Sequence, residues 1–182
     1  LDSADIKYVK GYMNRHSPAL GLKAHEYVLG LYDVLGRIFS PRPEILLESC
    51  ASGGGRFDLG MLCFSPQIWA SDNTDPIERL DIQKGLSYLY PQSAVGCHVA
   101  DAPHAQTLRD TPLSTRGNAA FFGALGYELD LDDLLPVEKA EIKAQIEFYK
   151  AHRMTFQFGT FSRLVPPGDG ECWMAAGEKE LA

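Results

Sequence analysis

The segment Trp69-Ala70-Ser71-Asp72-Asn73-Thr74-Asp75 sets a carboxylate at the end of an apolar run and a second one three residues later, where a helical pattern begins. Asp75 followed by Pro76 reads as an N-cap, an acid that accepts amide hydrogens ahead of a proline in the first turn. Asp72 falls where a strand gives way to its loop. Partly desolvated beside apolar walls, a carboxyl at that point could keep its proton and act as a general acid. Lys10, Tyr12 and Asn14 project the same way from another apolar run and its loop. A lysine aimed into a site is costly unless it meets an acid or a ligand. The run Cys50-Ala51-Ser52-Gly53-Gly54-Gly55-Arg56 offers small residues, backbone N–H groups and a guanidinium, so a ligand can come close to the main chain. A phosphate loop would end in Gly-Lys-Ser/Thr, which is absent; sugar hydroxyls suit the run better, with a tight structural turn as the competing reading. His98 and His104 have no third ligand at suitable spacing, which favours hydrogen-bonded histidines over a metal site. Glu48, Glu128 and Asp130 could join Asp72 as oxygen ligands for magnesium, a weaker alternative.

These residues need strands to carry them. Short apolar runs at 6–13, 44–50, 67–71, 95–99 and 127–131 read as five strands. Amphipathic stretches at 24–39, 75–90, 115–124 and 136–153 read as helices, with a shorter helical piece at 57–63. In the first helix Tyr27, Val28, Leu31, Val34, Leu35 and Ile38 recur at helical spacing. Beyond residue 153 the pattern changes: Phe156, Phe158 and Phe161 alternate with polar residues ahead of Pro166-Pro167-Gly168, as in the first strands of a separate β segment. The expected division is therefore 1–153 and 154–182.

Strand–helix alternation predicts an α/β fold around a parallel sheet, either open and doubly wound or part of a closed eight-stranded barrel. Parity favours the barrel. Tyr8, Lys10 and Tyr12 share one face of their strand, as do Leu46, Glu48 and Cys50, and Ile68, Ala70 and Asp72. Each set ends in a polar or reactive side chain, as a barrel mouth built from strand ends demands.

Composition narrows the partners. The 182 residues are 45% apolar, enough for a core, and carry a formal net charge of −7 with a pI near 5.2. That balance provides no basic field for nucleic acid and is compatible with a neutral substrate. No apolar run approaches the roughly 18 to 20 residues of a membrane span, and no basic-then-apolar leader is present, so a soluble chain without a signal is expected. Cys50, Cys63, Cys97 and Cys172 are widely spaced, with no Cys-x-x-Cys pair; they are expected to be reduced thiols in a cytoplasmic setting.

Four stretches carry a resemblance: Lys10-Gly11-Tyr12-Met13-Asn14-Arg15, Glu48-Ser49-Cys50-Ala51-Ser52-Gly53-Gly54-Gly55-Arg56-Phe57-Asp58, 69–75 quoted above, and Gly126-Tyr127-Glu128-Leu129-Asp130. Together, and in this order, they resemble signature stretches of family 36 α-galactosidases over nearly the whole chain. The resemblance implies an incomplete (β/α)8 (TIM-type) barrel, its last five strand–helix units, followed by the start of a C-terminal β segment. It implies hydrolysis of terminal α-galactosides such as melibiose and raffinose with retention, with no metal and no organic cofactor. Asp72 matches the acid/base, Tyr12 stands at the nucleophile position, and Lys10, Asn14, Cys50, Ser52 and Gly53 match sugar-binding positions. The family has Trp and Asp where this chain has Gly11 and Tyr12. A phenol's reach and pKa do not fit a carboxylate's slot in a pair about 5 to 5.5 Å apart, so impaired hydrolysis is expected. The alternatives are a non-catalytic galactoside-binding module and an inert structural remnant. Exposed sheet edges and an apolar flank predict association with a second copy or a complementing chain.

Overall fold

A computed structural model describes residues 8–12, 20–50, 57–168 and 173–177. The chain divides into two compact units, 1–72 and 73–182. Both are α/β with parallel strands.

The first unit contains β1 (Tyr8–Tyr12), α1 (Leu20–Phe39), β2 (Leu46–Cys50) and β3 (Gln67–Trp69). β1 pairs parallel with β2, setting Lys10 against Glu48 and Tyr12 against Cys50; β2 pairs parallel with β3, setting Glu48 against Gln67 and Ser49 against Ile68. Simple inside–outside alternation fails on β2, where Leu46 is exposed but Leu47, Glu48, Ser49 and Cys50 are all buried. Parallel strands covered on both faces lose the alternating pattern. The Ser65 hydroxyl, fully buried, lies 2.8 Å from the carbonyl oxygens of both Leu47 and Gln67 and ties β2 to β3. α1 turns Tyr27, Val28, Leu31, Leu35 and Ile38 half inward, while Val34 stays exposed off that stripe.

The second unit runs α2 (Pro76–Leu86), β4 (Val95–Ala100), α3 (Leu113–Ala120), β5 (Ala124–Glu128) and α4 (Pro136–Phe158), then β6 (Thr160–Val165) and β7 (Trp173–Gly177). β4 and β5 are parallel, and β6 and β7 form an antiparallel pair. Val95, Cys97 and Val99 are almost wholly buried on one face of β4. Buried polar side chains fasten helices to strands there: the Cys97 thiol donates to Gln83 Oε1 (3.0 Å), Gln83 Nε2 to the Ala119 carbonyl (2.9 Å) and Arg116 Nη1 to the Ala100 carbonyl (2.7 Å). Burial pushes the Cys97 thiol up to about 11 against the pull of Arg79, so it stays protonated.

Several boundaries differ from the sequence expectation. α3 ends at Ala120 and β5 starts at Ala124, three residues before the strand read at 127–131. Gly123 and Gly126 permit close packing there: a Cβ on Gly126 would stand 2.5 Å from His98 Cδ2. α4 continues five residues past Arg153, so Phe156 and Phe158 are helical rather than strand residues. Tertiary packing decides this, because the Phe156 ring lies 5.2 Å from Phe122, 5.8 Å from Phe121 and 6.0 Å from Phe148. The turn at 129–132 is closed by Asp130 Oδ1, which accepts the Asp132 amide at 2.9 Å, and Leu131 is exposed.

Candidate functional site

Of the residues singled out for chemistry, the described part of the first unit contains the backbone of Lys10 and Tyr12 together with Cys50 and Asp72. Because β1, β2 and β3 run parallel, their carboxyl ends share one edge, with Tyr12 registered beside Cys50 and Trp69 closing β3. Asp72 follows three residues after Trp69, whose indole Nε1 donates to Asp72 Oδ1 at 3.0 Å. Trp69 is buried and Asp72 is exposed. The partly desolvated carboxyl expected from the sequence is thus corrected: the indole hydrogen bond orients the Asp72 carboxylate while leaving it exposed. The Trp-x-x-Asp spacing carried that signal, though only the fold shows the indole reaching the acid.

Cys50 is buried at the end of β2. Lys10 and Tyr12 are described through the β1 backbone. Asn14, Ser52 and Gly53 lie outside the described residues. Glu48, opposite Lys10 in register, is 8% exposed and accepts Gln67 Nε2 at 3.3 Å. Where the chain re-enters after the glycine run, Asp58 Oδ1 accepts the Met61 amide at 2.7 Å and the Tyr32 hydroxyl at 2.6 Å. Burial, and then that hydrogen bond to a carboxylate, push the Tyr32 phenol up to about 12.

In the second unit Asp75 is the N-cap the sequence indicated. Fully buried, it accepts the amides of Ile77 (2.9 Å) and Glu78 (3.2 Å), the Thr107 hydroxyl and Arg109 Nη1 (both 2.5 Å). Burial alone would raise its carboxyl; the Thr107 hydroxyl, the two amides and Arg109 outweigh that and hold it below the usual carboxylate range. His104 Nε2 shares a hydrogen bond with Thr74 Oγ1 at 3.0 Å, and His98 Nδ1 stands 3.3 Å from Glu128 Oε2. Both histidines are hydrogen-bonded side chains. Among the described residues no group of three or more His, Cys, Asp or Glu is arranged to hold a metal ion, and no helix is long and apolar enough to cross a membrane. Among the described residues Cys50, Cys63 and Cys97 form no disulfide, while Cys172 lies outside those residues.

The first unit is thus a parallel strand–helix arrangement with a tethered carboxylate just beyond a strand end. The chain belongs to the melibiase family, whose profile matches residues 1–159. It is 50% identical over 186 residues to the α-galactosidase AgaA of Geobacillus stearothermophilus, covering 96% of this chain and 26% of that protein. Among solved structures it is similar to the galactosidase domain of the α-galactosidase–sucrose kinase AgaSK, with 46% identity and a TM-score of 0.92 over 98% of this chain and 25% of that one. A doubly substituted AgaA from G. stearothermophilus in complex with raffinose is 50% identical with a TM-score of 0.84, over 91% of this chain and 24% of that one. The chain therefore spans about a quarter of the length of the relatives it matches.

Proposed function

We propose that the chain represents the later part of the catalytic barrel of a retaining α-galactosidase, with the start of a C-terminal β segment following it, and that its hydrolytic step is impaired. Asp72 occupies the acid/base position: as an acid it would protonate the departing glycosidic oxygen, and as a base it would take a proton from the attacking water. The partner step needs a carboxylate on the opposite face of the anomeric carbon, and Tyr12 occupies that position. Lys10, Asn14, Cys50, Ser52 and Gly53 are the proposed contacts to the sugar hydroxyls. What carries this reading is the common edge at which Tyr12 registers with Cys50 and Trp69 orients the Asp72 carboxylate. Three cysteines outside any disulfide among the described residues fit a reducing compartment such as the cytoplasm.

The Tyr12 replacement also favours a second reading, a galactoside-binding module that no longer cleaves. Two measurements separate the readings. An aryl α-galactoside incubated with the purified chain should release no aryl alcohol above background, whereas Tyr12→Asp combined with Gly11→Trp should restore measurable release. Clear turnover by the unsubstituted chain would overturn the impairment. Calorimetric titration with galactose should give saturable heat for a binding module, and a flat trace leaves only the inert remnant.

A further inference from the structure

A cavity of about 380 Å³ opens in the second unit, between the segment before β4, the end of α4 and one face of β6. That volume lies in the range of small-molecule pockets, roughly 300–1,000 Å³. One wall holds Gln92. It is 6% exposed, and neither Nε2 nor Oε1 of its amide has a hydrogen-bond partner. A buried amide left unpaired on both sides is rare in folded proteins and needs a reason. The opposite walls are aromatic and cationic. Phe156 and Phe161 line them, and Arg163 donates from Nε to Ser87 Oγ at 2.7 Å and lies 4.3 Å from the centre of the Tyr88 ring. Among the described residues no carboxylate lines the cavity.

We propose that this cavity is a binding site for one neutral saccharide ring, separate from the residues assigned to hydrolysis. A carboxamide offers one acceptor and a pair of donors side by side, which matches two neighbouring hydroxyls of a sugar, one donating and one accepting. The aromatic walls suit the C–H face of the ring. Neither amide atom of Gln92 touches solvent, so engagement requires the amide to turn into the cavity. Its terminal torsion is broad, and the turn exchanges an unpaired amide for a paired one. An extended peptide is the rival occupant with the same donor–acceptor pattern. It would seek an unpaired backbone edge, whereas Phe161 and Arg163, two residues apart on β6, present a side-chain face to the cavity.

The test follows the Gln92 side-chain amide signal by nitrogen–proton NMR on the full chain, assigned by its loss in Gln92→Leu. Methyl α-galactoside and methyl α-glucoside are titrated first, then an N-acetylated dipeptide amide. A saturable shift with at least one sugar is expected, together with at least a tenfold weaker affinity at this site in Gln92→Leu, read in that variant from the Nε–H signal of Arg163 in the same cavity, and an unchanged affinity in Asp72→Asn. Gln92→Leu is expected to fold, since leucine has similar volume and no polar atoms to satisfy. A Gln92 signal that ignores both sugars, or that shifts only with the dipeptide amide, overturns the proposal. Affinity lost in Asp72→Asn but kept in Gln92→Leu also overturns it, by assigning the sugar to the other site.

Discussion

Asp75 and Leu108 show at the scale of single residues how the segment 73–111 is held. The buried Asp75 carboxylate cannot be shed cheaply, because it satisfies two helix amides, a hydroxyl and a guanidinium at once. Its pKa is lowered on folding, so its stabilising contribution is complete above the ordinary carboxylate pKa of about 4 and drains away as pH falls through the depressed folded value. Arg109 is 38% exposed, so solvent screens its share and the amide and hydroxyl bonds carry most of the effect. Asp75→Asn should cost about 2 kcal/mol at pH 7, with the gap to the parent chain narrowing below pH 4 in urea titrations. A gap that stays constant across that range would exclude the linkage. Leu108, 77% exposed, sits at φ 58°, in the left-handed region that a leucine side chain disfavours. Leu108→Gly should gain roughly 0.5 kcal/mol after glycine's own entropy cost, and the β-branched Leu108→Val should lose about 1 kcal/mol. Their denaturation midpoints should move in opposite directions.

Among the elements, α3 and β5 show how packing overrules local preference. The sequence Phe121-Phe122-Gly123-Ala124-Leu125-Gly126 has two glycines and reads as a helix end followed by a loop, yet β5 occupies its second half. The reason is the approach of Gly123 to β4, where an added Cβ would lie 2.5 Å from the Val95 carbonyl oxygen. That oxygen belongs to a backbone already paired within the unit, so it cannot yield as a flexible side chain could. Gly123→Ala is expected to lower stability by about 2 kcal/mol. Gly30, inside α1, has nothing within 4 Å of such a Cβ, and Gly30→Ala should raise stability by about 0.8 kcal/mol. Thermal melts of the two variants are expected to shift in opposite senses. The same logic explains the length of α4. Pro136 in its first turn and the Glu138 carboxylate accepting the Leu135 amide at 2.9 Å begin it as its sequence indicates, while its last turn exists because Phe156 completes an aromatic cluster with Phe121, Phe122 and Phe148.

For the whole molecule, apolar side chains left in water set the expectation. Leu29, Val34, Leu46, Leu59, Leu135 and Val137 are each at least 48% exposed. Scattered singly such residues are ordinary, but here they lie on a chain that spans about a quarter of the length of the relatives it matches. We expect the chain at high concentration to sediment as more than a monomer, through a second copy or a complementing chain, and to bind a hydrophobic dye. A single monomeric boundary at all concentrations would remove that expectation. By itself the sequence determined the strand–helix alternation, the Asp75 cap and the motifs that place the chain in its family, because these depend on residue types at short spacings. The end of α4, the early start of β5, the indole held against Asp72 and the unpaired amide of Gln92 were decided only by tertiary structure. Each depends on which distant side chain or carbonyl arrives at a given point, and a burial or close approach of that kind leaves no periodic trace along the chain.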